Sequence, residues 1–419
     1  MVDFVCFNCI EDSCLRRRHL TSRLHSPRVC IGCGDEVTHA ITAADLAALT
    51  EPVLQQHFEI DQDLYPGYEL SLQAIIGQAL QCGKQAVLEK IAVLLEVCND
   101  DHDEDAVDNE HFYASGQMYQ WANSPFDDEE HQRWYVMGDW HNAATRLIHG
   151  RRFFNEGVRE LFAGILQEAL AAGSIDDAGL RPVIKNVLTG FEFFRARVAR
   201  NFDEEQKFLA EPAIELGAPP KELATNGRMS PAGIPFLYVA ENQCTAVAEV
   251  RPSIGDTVVV GKFKATQPLK IFDLTALSGR LVHESLSLFD PDYETRSHRR
   301  TLLGYLHSEI SRPAKTNDTD YLMTQAFTEY IRFECNEEFD GVAFRSVQHA
   351  NGINYVLFDT ASENEWTWAD WKPRFDLEID PSDVVVVEIR AVEYTANPKK
   401  ILARRPDIDG WADEIVFTS

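Results

Sequence analysis

Two pairs of cysteines near the start of the chain constrain its fold more strongly than any other feature. The pairs are Cys6-Cys9 and, after twenty intervening residues, Cys30-Cys33. Each CxxC turn presents two thiolates to one side, and four thiolates complete a tetrahedral Zn²⁺ shell. The spacing therefore predicts a structural zinc knuckle over residues 1–40. Four nearby side chains at poorer spacing are alternative ligands: Cys14, His19, His25 and His39.

The size and charge of the chain narrow the classes of protein to which it can belong. With 419 residues it is longer than one ordinary domain, so two or three domains are expected. A formal net charge of −28 argues against nucleic acid and anionic membranes as partners, because both bind through Lys and Arg. CxxC pairs suit a reducing compartment, and neither a signal peptide nor a run of about 18 apolar residues occurs. We therefore expect a cytoplasmic protein.

The spacing of apolar residues changes character along the chain. Helical spacing is found at 43–57, 70–80, 84–97, 127–149 and 155–172, with a capping-box start at Thr42 to Asp45. From about residue 187, short strand-like runs alternate with helices at 242–250, 296–311 and 322–336. The strand-like runs are 191–198, 235–240, 257–265, 269–274, 341–346, 354–358 and 383–394. The predicted fold class is α+β, with a zinc knuckle and a helical domain ahead of a mixed α/β domain.

The familiar catalytic templates are missing from this sequence. It has no GxGxxG after a strand, no GxxxxGK[ST], no HExxH and no GxSxG. Their absence argues against a Rossmann dehydrogenase, a P-loop NTPase, a zincin and an α/β-hydrolase.

Five polar residues at the edges of predicted strands and helices are the remaining candidates for a site: Arg195, Arg228, Tyr238, Glu249 and Ser346. Arginine binds phosphate oxygens with two hydrogen bonds, and an aromatic ring can stack on tyrosine. A single carboxylate can stabilise an oxocarbenium-like transition state at a sugar carbon. Such a set suits a ligand with phosphates, a flat ring and a sugar. Considered by spacing alone, the same residues also fit structural ion pairs and caps.

Read in order, these residues and their flanking segments resemble the RES-domain family, named for Arg, Glu and Ser. The resemblance covers roughly residues 190–395. The matching segments are 227–238 (GRMSPAGIPFLY), 246–252 (AVAEVRP), 321–325 (YLMTQ), 339–346 (FDGVAFRS) and 354–358 (NYVLF). The ordered set is more specific than any one segment.

The resemblance implies a fold similar to ADP-ribosyltransferases and consumption of NAD⁺ by hydrolysis, phosphorolysis or modification of a protein. It identifies Arg228, Glu249 and Ser346 as the naming triad and expected catalytic residues. Tyr238 matches the pocket tyrosine, expected to pack against nicotinamide or its ribose. Arg195 matches an early arginine, expected to hold the pyrophosphate together with Arg228.

Two departures from the family pattern affect the assignment of family site residues to positions in this chain. Met229-Ser230 stands where many members have Trp-Asn, and the separation of Arg195 from Arg228 exceeds that of compact toxins. Arg197 is close enough to Arg195 to be the pocket arginine instead.

The front of the chain is similar to the zinc-bearing helical amino-terminal domain of some RES proteins, which has been related to HEPN folds. HEPN nucleases carry Arg-x4-6-His on a helix. Arg146 and His149 are too close together for this motif, whereas Arg300 and His307 fit it by count but lie inside the RES-like region. RNase activity is therefore a less favoured alternative to the NAD⁺-consuming function.

The predicted division has four parts: zinc knuckle 1–40, helical HEPN-like domain 41–180, RES domain 185–400, and a tail at 401–419 packing on the RES domain. The predicted function is an NAD⁺-degrading toxin or defence effector, with structural Zn²⁺ and with NAD⁺ as substrate. A module that binds NAD or ADP-ribose without turnover is the alternative. By analogy, the resemblance implies an antitoxin or immunity protein as partner and leaves a homodimer open, with no nucleic acid or membrane partner expected.

Overall fold

The computed structural model describes most of the chain and divides it into two compact units. The described residues are 2–19, 23–61, 70–98, 112–122, 129–176, 179–278, 280–310, 319, 321–361 and 371–393. The first unit comprises Met1–Lys185, Thr225–Ala232 and Lys270–Val342. The second comprises Asn186–Ala224, Gly233–Leu269 and Ala343–Ser419. The predicted tail at 401–419 and the side chains of His19, His25 and His307 lie outside the described residues.

The described residues form eleven α-helices, which have these bounds: α1 (Ser13–His19), α2 (Ala43–His57), α3 (Leu72–Leu80), α4 (Gln85–Cys98), α5 (Glu129–His149), α6 (Glu156–Leu170), α7 (Phe202–Ala210), α8 (Pro212–Glu215), α9 (Gln243–Glu249), α10 (Tyr293–Ile310) and α11 (Leu322–Phe333). None of these helices combines the length and the apolar character that a membrane-spanning helix needs.

The strands among the described residues have these bounds: β1 (Phe4–Cys6), β2 (Arg23–Val29), β3 (Glu36–Thr42), β4 (Phe58–Ile60), β5 (Leu70–Ser71), β6 (Met118–Trp121), β7 (Gly173–Asp176), β8 (Gly179–Pro182), β9 (Ile184–Val187), β10 (Glu192–Ala199), β11 (Leu237–Ala240), β12 (Thr257–Ala265), β13 (Leu269–Asp273), β14 (Arg280–Val282), β15 (Gly341–Arg345), β16 (Ile353–Leu357), β17 (Leu377–Glu378) and β18 (Val384–Glu388). Together with the helices they confirm a mixed α/β protein.

The helix predictions with the clearest local signals are confirmed most closely. Helix α2 begins and ends at the predicted residues, and the hydroxyl of Thr42 accepts a hydrogen bond from the Asp45 N–H at 3.1 Å. This is the capping interaction that the sequence predicts, because it satisfies an otherwise unpaired donor of the first turn. Strand β12 also has the predicted bounds. By contrast, β18 ends at Glu388, well before the predicted end at residue 394.

Three small sheets in the first unit were not predicted, so its front part is less purely helical than expected. Their strand orders are β1-β3-β2, β4-β6-β5 and β14-β7-β8. Most of these strands have two to four residues, which is too short for an alternating pattern to stand out. Helices α2, α3 and α4 pack with the first of these sheets in one hydrophobic core, which includes Cys6, Leu54 and Ile91.

A buried carboxylate joins two helices of the first unit. Glu168 on α6 is 1% exposed, and its two oxygens accept hydrogen bonds from Arg296 Nε at 2.6 Å and from Arg300 Nε at 2.7 Å on α10. Burial opposes ionisation of Glu168, but these two hydrogen bonds outweigh burial and lower its pKa. Arg296 also pairs with Asp290 at 2.9 Å. The charges are therefore mutually satisfied, as buried charges must be.

The second unit contains an antiparallel sheet with a short helix packed on one face. Its strands pair in the order β17, β12, β10, β11, β16 and β15, and β18 also pairs with β12. Helix α9 begins after Asn242, whose side-chain oxygen accepts a hydrogen bond from the Thr245 N–H at 2.9 Å. The core between α9 and the sheet includes Ala246 of the helix and two alanines of the strands, Ala196 and Ala240. Small side chains there let the helix lie close to the sheet.

We expect Glu168→Gln to destabilise the first unit by about 3 kcal/mol, because the two arginines would lose their buried counter-charge. Chemical unfolding followed by tryptophan fluorescence measures this loss. The exposed Glu160 on the same helix provides the control, and Glu160→Gln should leave stability unchanged.

The loss of stability caused by Glu168→Gln should depend on pH in a defined direction. The folded pKa of Glu168 is lowered, so its contribution is fully present above the unfolded value of about 4.3 and is lost as pH falls through the folded pKa. The difference between wild type and Glu168→Gln should therefore shrink below about pH 4. A difference that stays constant down to the lowest pH would contradict this assignment.

Candidate functional site

The carboxylate of Glu249 lies at the last residue of α9 and is anchored by two side chains of the second unit. Glu249 is exposed, and its Oε1 accepts a hydrogen bond from the Ser346 hydroxyl at 2.6 Å. The same oxygen accepts a second hydrogen bond from Asn354 Nδ2 at 2.7 Å. The structure thus brings together two of the predicted site residues, Glu249 and Ser346, and adds Asn354 to them.

Ser346 follows β15 directly, and its hydroxyl is fixed by the backbone of the next turn. The hydroxyl oxygen accepts hydrogen bonds from the N–H of Gln348 at 3.1 Å and of His349 at 3.0 Å. The backbone N–H of Ser346 donates to the carbonyl of Gly352 at 2.8 Å. With its oxygen engaged by two donors, the hydroxyl directs its single proton at Glu249.

Tyr238 and Asn354 lie on the same face of the second-unit sheet. In the antiparallel pairing of β11 with β16, Ala240 is opposite Asn354 and Tyr238 is opposite Val356. Residues two apart along a strand share a face, so Tyr238 and Asn354 are diagonal neighbours. Since Asn354 donates to Glu249, the half-buried Tyr238 belongs to the face on which α9 packs.

Arg195 is connected to Tyr238 through the backbone rather than through the tyrosine ring. Its Nη1 donates to the carbonyl of Tyr238 at 3.2 Å. Phe194 pairs with Ala240, which shares a sheet face with Tyr238. Because successive residues of a strand point to opposite faces, the Arg195 side chain leaves the strand on the face opposite to that of Tyr238. Burial and the neighbouring Arg197 lower the pKa of Arg195 to about 9, whereas Tyr238 opposes this shift.

Arg197, the alternative pocket arginine, has a different neighbour. Burial lowers its pKa and the carboxylate of Glu215 opposes the shift. No carboxylate of the described residues forms an ion pair with Arg195, whose hydrogen bond goes to a neutral carbonyl. Arg195 and Arg197 therefore differ in their nearest neighbours, and both start on the same face of β10.

Arg228 belongs to the first unit, whereas the other four predicted site residues belong to the second. Its Nη1 donates to the carbonyl of Ile310 at 2.6 Å, and its guanidinium lies 5.7 Å from the centre of the Tyr321 ring. The carbonyl of Arg228 accepts a hydrogen bond from the Thr324 hydroxyl at 2.5 Å. Helix α11 and the residue before it thus hold this arginine in place.

The turn around Arg228 is held by one buried glutamine. Gln325 is 6% exposed, and its Nε2 donates to Asn226 Oδ1 at 2.7 Å, to the Gly227 carbonyl at 2.7 Å and to the Ser230 carbonyl at 3.2 Å. Met229 is 1% exposed and accepts a hydrogen bond from the Thr328 hydroxyl. Met229-Ser230, where this chain departs from the family pattern, is therefore a packed core position of the first unit.

Sequence reasoning missed the roles of Asn354 and Gln325, although both lie within segments quoted for the RES resemblance. Asn354 is a polar residue inside an otherwise apolar run, Gln325 lies on an amphipathic helix, and each is almost fully buried. Buried amides need partners, so a polar residue within a predicted core segment was the available signal. The identity of the partner depends on tertiary contacts.

The four cysteines of the predicted knuckle come together in the first unit. Their Sγ atoms all lie within 4.8 Å of one another. The separations Cys6–Cys33 and Cys9–Cys30 are both 3.8 Å. Sulfur ligands about 2.3 Å from a tetrahedral Zn²⁺ would be about 3.8 Å apart, so the cluster fits that ion.

The surroundings of Cys30 also suit a thiolate, whereas burial and the neighbouring Cys6 thiol raise the pKa of Cys9. Burial raises the pKa of Cys30, but N–H donors of Cys6, Cys33 and Gly32 outweigh burial and lower it to about 7. A Cβ on Gly32 would lie 2.9 Å from Cys9 Sγ, so a side chain would not fit there without displacing the cluster.

The pair that matched the nuclease motif by count gains no support from the structure. Arg300 is committed to the buried Glu168, and its Nη1 donates to the Glu284 carbonyl at 2.7 Å. This arginine therefore has a structural role in the first unit.

We expect Gln325→Leu to loosen the turn at 226–230, because three hydrogen bonds are lost at once. Backbone hydrogen exchange in this segment should become at least about tenfold faster. The exposed helical Gln167→Leu is the matched control and should leave the turn unchanged. Unaltered exchange in Gln325→Leu would show that the turn is held by other contacts.

Comparison with known proteins returns one family. Residues 196–380 match the family model described as the RES domain. Searches of curated proteins and of solved structures gave no significant match. The matched segment contains Arg228, Tyr238, Glu249 and Ser346, and it begins one residue after Arg195. This part of the chain is therefore similar to RES domains, which supports the resemblance found in the sequence.

Proposed function

We propose that the site around Glu249 cleaves NAD⁺ between nicotinamide and ribose. The observation that carries this proposal is an exposed carboxylate at the end of α9, held at one oxygen by Ser346 and Asn354 within the RES-matching segment. A carboxylate held in this way can stabilise positive charge that develops on a sugar. The RES match supports an NAD-related reaction, and we further infer a toxin or defence role.

Binding of the pyrophosphate is proposed for Arg195 of β10, whose side chain starts on the face opposite to that of Tyr238 and reaches the Tyr238 backbone carbonyl. A partly buried guanidinium without a carboxylate partner among the described residues is costly unless an anion occupies the site. Arg195 is in this position, anchored by the Tyr238 carbonyl. Guanidinium groups bind phosphate oxygens with good geometry. Arg228, whose turn is held by Gln325, is proposed to contribute a second guanidinium.

The reaction requires only bond cleavage and charge stabilisation. The bond between ribose C1′ and the nicotinamide nitrogen breaks, and nicotinamide leaves as a neutral molecule with the bonding electron pair. Glu249 stabilises the resulting oxocarbenium-like ribose, and Tyr238 packs against nicotinamide or its ribose. An acceptor with an O–H or N–H group attacks C1′ and loses its proton. Water, phosphate and a protein side chain all satisfy this balance.

The biological setting follows from the family resemblance. We infer that an antitoxin or immunity protein binds this chain and suppresses turnover, as expected for a relative of toxins. The action on a cytoplasmic metabolite is consistent with that role, and the net charge of −28 makes nucleic acid a poor partner.

We expect Glu249→Gln to lower nicotinamide release from NAD⁺ by at least about 100-fold, because the amide cannot neutralise developing positive charge. Release is followed by chromatography of nicotinamide and ADP-ribose products. The exposed Glu222 of the same unit provides a matched control, and Glu222→Gln should react at the wild-type rate.

Two outcomes would contradict this function. Equal, slow release by wild type and Glu249→Gln would exclude catalysis by this carboxylate. Tight binding of ADP-ribose in calorimetry without any turnover by the wild type would favour a binding module instead.

We also propose that Cys6, Cys9, Cys30 and Cys33 hold a structural Zn²⁺. Four protein ligands close the coordination shell, so the ion would contribute to folding rather than to catalysis. The purified chain should contain about one zinc per molecule. Cys30→Ser should lose the metal and destabilise the first unit, as measured by mass spectrometry of metals and by thermal unfolding.

Cys14→Ser is the control for this experiment because Cys14 lies in the same segment but outside the four-cysteine cluster. It should retain zinc and stability. If Cys14→Ser also lost the metal, the ligand set would have to be revised in favour of the alternatives in the sequence.

A further inference from the structure

We infer that Asn354 is a positioning residue that selects which oxygen of Glu249 meets the substrate. This inference rests on the proposed NAD⁺ cleavage and extends it to a residue outside the Arg, Glu and Ser triad. Asn354 would act through Glu249, leaving Oε2 as the oxygen that faces the ribose.

The first step of the argument is the direction of the hydrogen bonds. Asn354 Nδ2 can only donate, and it donates to Glu249 Oε1 at 2.7 Å. The Ser346 hydroxyl, fixed by two backbone donors, sends its proton to the same Oε1 at 2.6 Å. Within the part of the chain that the structure describes, Oε2 of Glu249 receives no hydrogen bond. The two oxygens of the carboxylate are therefore distinct.

The second step is rigidity. Asn354 is 6% exposed and lies in the strand ladder opposite Ala240. A side chain on a paired, buried strand position has little freedom, whereas Glu249 at a helix end has much. Asn354 therefore sets the orientation of the Glu249 side chain, whereas Glu249 does not set that of Asn354.

The third step is the loop that joins Ser346 to Asn354. His349 Nδ1 lies 2.9 Å from the Thr245 hydroxyl in the first turn of α9. A Cβ on Gly352 would lie 2.6 Å from the same hydroxyl, so glycine lets the loop approach the helix. The loop thus contacts α9 near its start, while Ser346 and Asn354 contact Glu249 at its end. This arrangement fixes the helix relative to β15 and β16.

The geometry also explains why an amide suits position 354. An aspartate of the same shape would place a second carboxylate against Oε1, which would repel Glu249. A leucine of similar size would remove the donor without adding charge. Both changes should release the carboxylate while leaving the other pocket residues in place.

The experiment measures kcat and KM for nicotinamide release from NAD⁺ by the full chain. Asn354→Asp and Asn354→Leu should each lower kcat by about 100-fold and change KM by less than about threefold. Asn354→Ser, which keeps a donor, should retain more activity than Asn354→Leu. In a Glu249→Gln background, Asn354→Leu should have little further effect, because no carboxylate remains to be positioned.

Asn351→Asp is the matched control because Asn351 is an exposed residue of the same loop. Its φ of 62° lies in the left-handed region, which aspartate also tolerates. This variant should have wild-type kcat and KM. Circular dichroism and thermal unfolding identify any variant that fails to fold, and if Asn354→Leu does not fold, Asn354→Asp decides the question.

A folded Asn354→Leu or Asn354→Asp with wild-type kcat would overturn the inference. So would a parallel loss of kcat and NAD⁺ affinity in Asn354→Leu, which indicates a general disturbance of the pocket. If the wild type releases no nicotinamide, the proposed function fails instead. Crystal structures of wild type and Asn354→Leu then decide the positioning role, which requires the Glu249 carboxylate to leave its wild-type orientation in the variant.

Discussion

The orientation of one exposed carboxylate, that of Glu249, depends on two donors that are far from it in sequence. Glu249 ends a helix of two turns, where a long side chain has many rotamers. Ser346 and Asn354 come from the ends of neighbouring strands and converge on the same oxygen. The small residues between α9 and the sheet let the helix lie close enough for this convergence. The site is therefore a product of sheet geometry, and its precision comes from strands rather than from the helix that carries the acid.

Among the described residues, partly buried arginines occur in two different environments. In the first unit, Arg296 and Arg300 share the carboxylate of Glu168, and the charges are neutralised internally. In the second unit, Arg195 has a carbonyl as its hydrogen-bond acceptor. The sequence patterns of these arginines do not distinguish the two cases, because the partner of each is remote in sequence. The first unit thus holds its arginines in an ion-pair network, whereas Arg195 has no carboxylate partner among the described residues.

Local signals were sufficient for part of the fold. The Thr42 cap predicted the start of α2, and a run of β-branched residues predicted β12. The small sheets of the first unit were not predictable, since strands of two to four residues acquire their pairing only in the folded chain. The family resemblance predicted that Glu249 and Ser346 share one site, and in the structure their side chains are hydrogen-bonded. It could not reveal the strand register that separates the starting faces of Arg195 and Tyr238.

The interleaving of the two units has a consequence for dissecting the molecule. Helix α10 and the turn at Thr225–Ala232 fall inside the RES-matching residues, yet they belong to the first unit. A polypeptide beginning near residue 185 would carry Arg296 and Arg300 without the glutamate that neutralises them, and would expose the apolar side of α10. The RES-matching and amino-terminal parts are thus not separable modules along the chain. Shuffling of this RES-like segment between proteins would have to transfer α6 with it.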